Sequence, residues 1–120
     1  MQLIDSNILI YSAKPEYTQL RKLIVATNYI SLISKIEVLG FHQLIEKDKI
    51  YFNACFSTLL NLHVDENIIE KAIELRRENK LSLGDSLIAA TSLCFNLELV
   101  TRNLKDFEGI KGLKIINPIK

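Results

Sequence analysis

The sequence predicts a single α/β domain, a three-layer α/β/α sandwich built on a short, mostly parallel sheet of four to five strands. Three observations point there. Short apolar runs alternate along the chain with longer stretches of helical periodicity, and that alternation implies crossover connections and a sheet covered on both faces. The length of 120 residues, with 48% hydrophobic and 24% charged residues, fits one globular core spanning residues 1–120. No internal repeat, low-complexity tract or linker divides it.

Taken in order, Gln2-Leu3-Ile4-Asp5 is too short for a helix and ends in polar Ser6-Asn7, so it reads as a buried strand. Asn7 to Tyr11 reads as a helical turn closed by Lys14-Pro15, because the residue before proline disfavours α geometry. Glu16 to Thr27 carries a helix-like face of Leu20, Leu23 and Ile24, and Tyr29 to Ile33 is the second strand. Helices are expected over Lys35 to Glu46 and Lys49 to Leu60, followed by a short strand, Leu62 to Val64. Glu66 to Asn79 has the clearest amphipathic pattern, with Ile68, Ile69, Ala72, Ile73 and Leu75 opposed to Glu70, Lys71, Glu74, Arg77 and Glu78. Leu83 to Phe95 is apolar nearly all round and so reads as a buried helix. Leu97 to Thr101 and Leu113 to Ile116 complete the strands, the last following a Gly109–Gly112 turn.

Charge narrows the partners only slightly. The net charge is +1, so no strong overall field attracts a polyanion. From Arg102 to Lys120 five bases face two acids, while from Asp65 to Glu78 five acids face three bases, so a polyanion is expected on the C-terminal side. Cys55 and Cys94 lack metal or redox spacing and are expected to be buried reduced thiols, and His42 and His63 share no ligand spacing. No apolar run approaches the ~18 residues a membrane span needs. The N-terminus has no signal-like segment, so the expectation is a cytoplasmic protein without a membrane partner.

The acidic residues fall where such a sheet binds ligands, beyond the carboxyl ends of its strands. Asp5 ends the first strand, Glu37 follows the second, Asp85 opens the buried helix, and Thr101-Arg102-Asn103 with Asp106 follow the fourth. Each has a plainer reading alone. Ser34-x-x-Glu37 and Ser82-x-x-Asp85 match a capping box, and Asp5 and Asn103 fit as simple caps. Together, converging carboxylates repel one another by a kcal/mol or more per close pair, on the order of the Coulomb energy near a surface. A hard cation such as Mg²⁺ or Mn²⁺ relieves that repulsion, and it can serve phosphodiester hydrolysis. No nucleophile triad or glycine-rich phosphate loop competes.

Four segments, Leu3-Ile4-Asp5-Ser6-Asn7-Ile8-Leu9-Ile10-Tyr11, Ser34-x-x-Glu37, Gly84-Asp85-Ser86-Leu87-Ile88-Ala89-Ala90 and Leu99-Val100-Thr101-Arg102-Asn103-x-x-Asp106-Phe107, occur in order at this spacing. With the tail Gly112-Leu113-Lys114-Ile115, the whole chain resembles the PIN-domain ribonucleases of the VapC toxin kind. The resemblance implies a PIN-like fold and an endoribonuclease dependent on Mg²⁺ or Mn²⁺, homodimeric and held inactive by a cognate antitoxin. It implies Asp5 and Asp85 as principal metal ligands, and Glu37 as an acid of the same site, direct or through water. Thr101 matches a hydroxyl that orients the cluster, with Ser6 and Asn7 bonded around the Asp5 turn and Arg102 and Asn103 beside it. Where many members carry a fourth aspartate this chain has Asn103, and Asp106 is the other candidate catalytic acid. The alternative is a non-catalytic PIN-like module that binds RNA or protein. A haloacid-dehalogenase-like phosphatase would need a second aspartate where Asn7 stands, and a receiver-domain pattern does not fit.

Overall fold

Residues 1–119 are described by a computed structural model. Five strands, β1 (Gln2–Ile4), β2 (Tyr29–Ser31), β3 (Leu60–Leu62), β4 (Glu98–Val100) and β5 (Ile115–Ile116), form one all-parallel sheet ordered β3-β2-β1-β4-β5. Between them run α1 (Ser6–Ser12), a 3-10 segment (Pro15–Leu23), α2 (Leu32–Leu39), α3 (Glu46–Thr58), α4 (Glu66–Glu78), α5 (Leu83–Phe95) and α6 (Leu104–Phe107). Successive strand residues point to opposite faces. Leu3 and Leu99 therefore pack with Ile68, Leu75, Ile88 and Phe107 of α4, α5 and α6. Ile4 and Val100 pack on the other side with Ile8, Leu20, Val38 and Phe52, from α1, the 3-10 segment, α2 and α3. These are the three layers the sequence predicts.

The two helices with the strongest sequence signals form as expected. Asp65 caps α4 by accepting a hydrogen bond from Ile68 N at 2.9 Å, and α5 ends on Asn96 in the left-handed region (φ 53°), a common stop for a helix. Elsewhere boundaries move. The second strand stops at Ser31, whose hydroxyl accepts from Ile33 N at 3.2 Å and caps α2. Ser34 consequently lies inside the helix, buried, with no hydrogen-bond partner for its hydroxyl, so the Ser34–Glu37 capping box does not form. The expected helix from Lys35 to Glu46 ends at Gly40, where any side chain would meet the Ile36 carbonyl. Glu46 and Asp48 instead supply the first-turn acids of α3, which stops at Thr58. That frees Leu60–Leu62 to pair with β2, two residues before the expected strand.

The expected helix from Glu16 to Thr27 is a 3-10 segment broken at Tyr17 (φ −124°, ψ 27°), because its sparse apolar residues bury only Leu20. The fourth and fifth strands shorten to Glu98–Val100 and Ile115–Ile116. Cys55 is buried as expected, but Cys94 is exposed on α5 in a groove beside α4 and donates only a long contact to Asn67 O at 3.9 Å. Two of the C-terminal bases lie apart: Lys114 is with Gln2 and Glu98 at the amino edge of the sheet, and Lys111 is beside α4. Among the described residues, no helix is long and apolar enough to cross a membrane.

Candidate active site

The strand order places a reversal beside β1. From there the chain winds outward through β2 and β3, then returns to β4 and β5 on β1's other side. The carboxyl ends of β1 and β4 thus flank the switch point, where open α/β sheets bind ligands. Ile4 pairs with Val100, so the next residues, Asp5 and Thr101, leave the sheet side by side.

Asp5 is 6% exposed and caps α1. Its Oδ1 accepts from Ser6 N at 2.8 Å, and its Oδ2 accepts from Thr101 Oγ1 at 2.8 Å and Asn7 Nδ2 at 3.2 Å. Burial raises the pKa of Asp5 to about 6; the bonds from Thr101 and Ser6 oppose that rise, and the charges of Asp85 and Glu37 add to it. Thr101, fully buried, also accepts from Asn103 N at 3.1 Å and Asn7 Nδ2 at 3.3 Å. Asn7 Oδ1 accepts from Arg102 N at 3.1 Å, so one asparagine ties α1 to the turn after β4.

Glu37 reaches this cluster from α2, where its Oε1 accepts from Ser6 Oγ at 2.7 Å. Its other oxygen lies 3.3 Å from where a Cβ on Gly84 would be, so the missing side chain there lets the carboxylate approach the start of α5. Asp85 follows in the first turn of that helix, with its N–H donating to the capping Ser82 hydroxyl at 3.1 Å. Burial again raises its pKa most, followed by the charge of Asp106; Ser82 lowers it, and Glu37 raises it further. Asp106 is thereby placed near Asp85 from the first turn of α6.

Side-chain hydrogen bonds therefore join Asp5, Asn7 and Thr101, and Ser6 links Glu37 to them through its hydroxyl on Glu37 and its backbone N–H on Asp5, with Asp85 and Asp106 bordering them through their charges. Arg102 and Asn103 join through backbone N–H groups. The Asn103 side chain makes no capping bond, and the Arg102 guanidinium turns to Tyr11. Among the described residues, no group of three His, Cys, Asp or Glu side chains is arranged to hold a metal ion. A largely apolar cleft of about 560 Å³ opens beside Glu37, walled by Ile10, Val38, Phe41, Leu44 and Phe52.

Two neighbours of the acids escape a reading based on charge. Tyr11 stands four residues after Asn7 on the same face of α1, a spacing visible in the sequence. Gly84 precedes Asp85 within a quoted motif, but its role arises only from the close approach of α2.

The profile of the PIN-domain family matches residues 3–113. A chain of the toxin–antitoxin complex from Klebsiella pneumoniae is 36% identical and superposes at a TM-score of 0.81, with 100% of this chain and 99% of that one covered. DNA-bound VapBC from Salmonella typhimurium shares the fold at 23% identity and a TM-score of 0.82, over 98% of each chain. VapBC2 from Rickettsia felis, bound to a promoter DNA fragment, does so at 24% identity and 0.80, over 97% of each. No curated protein sequence matches. With its family match running almost end to end, the chain belongs to the PIN-domain family.

Proposed function

We propose that this chain is a Mg²⁺- or Mn²⁺-dependent endoribonuclease that acts in the cytoplasm as the toxin of a toxin–antitoxin pair. The observation that carries this reading is that Asp5, Glu37 and Asp85 border the switch point, where burial first, and then the charges of neighbouring acids, raise the proton affinity of both aspartates. The donor set fits a hard cation: it offers carboxylate oxygens, with hydroxyls to orient them and no sulfur or imidazole. Mg²⁺ retains several waters and takes one or two carboxylates, so Asp5 and Asp85 suffice as direct ligands, with Glu37 direct or through water. The chemistry such an ion supplies is activation of water for attack and charge neutralisation at a phosphoryl oxygen.

The chain's own residues prepare that site. Thr101, Asn7 and the Ser6 N–H hold the Asp5 carboxylate in one orientation. Ser6 Oγ holds Glu37. Asp106 is the fourth acid, since its charge acts on Asp85, while Asn103 contributes a backbone N–H that braces Thr101. The relative from Klebsiella pneumoniae is part of a toxin–antitoxin complex. By that likeness this chain takes a small antitoxin, for which the apolar cleft beside Glu37 offers a surface. Ile69 and Ile73 stand exposed on α4 and suit a second copy in a homodimer.

The deciding experiment incubates single-stranded RNA with the purified chain in Mg²⁺, Mn²⁺ or excess chelator, beside Asp5→Asn. Cleavage with either metal, products bearing 5′-phosphates, and loss of activity in chelator and in the variant are expected. Equal cleavage in chelator overturns the metal mechanism. RNA that binds but stays intact with every metal assigns a non-catalytic binding module instead.

A further inference from the structure

The ring of Tyr11 gathers two cations that have no anion. The Arg102 guanidinium carbon lies 4.2 Å from the ring centroid, and its Nη1 donates to the Tyr11 hydroxyl. Lys14 Nζ lies 5.2 Å from the same centroid, and Tyr17 packs edge-on at 5.0 Å. These are cation–π distances. The only ion pair among the described residues is Lys71–Glu74 on α4, so neither Arg102 nor Lys14 has a carboxylate within 4.0 Å. Both are exposed, and most of the guanidinium's five donors remain open. The pair borders the acids, because Arg102 N donates to the same Asn7 that donates to Asp5.

We propose that Tyr11 holds Arg102 and Lys14 as a two-cation cradle for an RNA phosphate next to the bond cut at the acidic site. The proposal rests on the ribonuclease reading and names the residues that position its substrate. Electrostatics favour such a feature. Asp5, Glu37, Asp85 and Asp106 repel a polyanion, and a net charge of +1 supplies no general attraction. Two further C-terminal bases, Lys111 and Lys114, lie away from the site. A guanidinium also matches a phosphate with two parallel donors, and a ring that fixes its plane removes much of the entropy cost of that match. Arg102 and Lys14 are thus positioning residues acting on substrate, and Tyr11 acts through them.

The test measures binding of a fluorescent single-stranded oligoribonucleotide in chelator, where no cleavage occurs, across a salt series. Arg102→Gln should weaken binding roughly tenfold, the size of one charge-assisted hydrogen bond. It should also reduce the slope of log K against log salt by about 0.7, the value for one phosphate contact on a single strand. Lys14→Gln should act in the same direction, and Tyr11→Leu should reproduce the loss of both cations. Tyr11→Phe, which keeps the ring but loses the hydroxyl, should fall between Tyr11→Leu and the parent. In turnover with Mn²⁺, Arg102→Gln should raise KM far more than it lowers kcat. Its Mn²⁺-induced rise in melting temperature should match the parent's, a result a general structural defect would not give. Parent-like affinity and salt slope in both Arg102→Gln and Lys14→Gln overturn the cradle while leaving the nuclease standing. RNA neither bound nor cut by the parent overturns both. Variants that keep RNA binding but lose binding to a glutamate-rich peptide assign the cations to a protein partner and also overturn the cradle.

Discussion

Asp5 carries opposed influences, and they set how the protein responds to pH. A carboxyl whose folded pKa is about 6, against an ordinary 3.8, binds its proton more tightly in the folded state. Its contribution to stability is therefore complete below about pH 4 and is lost as pH rises through 6. The difference corresponds to about 3 kcal/mol at most. In chelator, the parent's unfolding free energy should fall between pH 4 and 7, and Asp5→Asn, which cannot ionise, should show a flatter profile. Denaturant titrations across that range check it, and parallel profiles would rule out the burial effect. Gly84 makes a second residue-scale prediction. Alanine there gains about 0.5–1 kcal/mol of helix propensity, but its Cβ would press on Glu37 at 3.3 Å. The flexible carboxylate can yield, so Gly84→Ala should melt no lower than the parent while cleaving RNA roughly tenfold more slowly, as misplaced site groups do. The acids were legible in the sequence because polar residues at strand ends stand out. The roles of Gly84 and Tyr11 were not, because they depend on segments that meet across long stretches of chain, α2 with the start of α5 and α1 with the turn after β4.

At the scale of elements, α2 separates a working cap from an apparent one. Ser31 accepts from the α2 backbone, whereas Ser34 is buried with no partner for its hydroxyl. Ser31→Ala should cost about 1 kcal/mol, the usual loss for an N-cap. Ser34→Ala should be neutral or stabilising, since it removes a desolvated hydroxyl that forms no bond. Thermal melts of the two variants decide between these positions, and the reverse order would restore the Ser34 capping box. The reason the sequence misleads here is physical: both serines sit near a helix start, and only strand pairing determines that β2 stops at Ser31. In α4 and α5 the apolar pattern and caps agree, so those boundaries were legible almost to the residue. The 3-10 segment was not, because a sparse apolar face does not distinguish one helical form from another.

For the whole molecule, the metal binding proposed above is coupled to folding in one equilibrium. An ion that binds only the folded chain adds RT ln(1 + [L]/Kd), about 2.7 kcal/mol at a hundredfold excess. In a domain this size that raises the melting temperature on the order of 10 °C. Asp85→Asn should lose most of this rise in Mn²⁺. In chelator it should melt at or above the parent, because it removes charge repulsion with Asp106 and Glu37. If Asp85 were only a helix residue, the shift would be small and equal in both conditions, and a full metal-induced rise in the variant would exclude it from the site. The layered architecture was legible from alternation alone. The strand order was not, since nothing local in β1 shows that its two neighbours are β2 and β4.

That order has a consequence in time. Asp5 and Thr101 touch although 96 residues separate them, and β1 cannot gain its β4 neighbour until Glu98–Val100 exist. Contacts this distant in sequence form late, after closer ones have paid the entropy of closing the intervening chain. During synthesis the first strand therefore waits, half-paired, for almost the entire polypeptide to emerge from the ribosome. A chain cut short before Thr101 would lack the bond that orients Asp5, however well its earlier helices had folded. The acidic centre is thus assembled last, and under the activity proposed above an unfinished copy would leave the RNA around it intact.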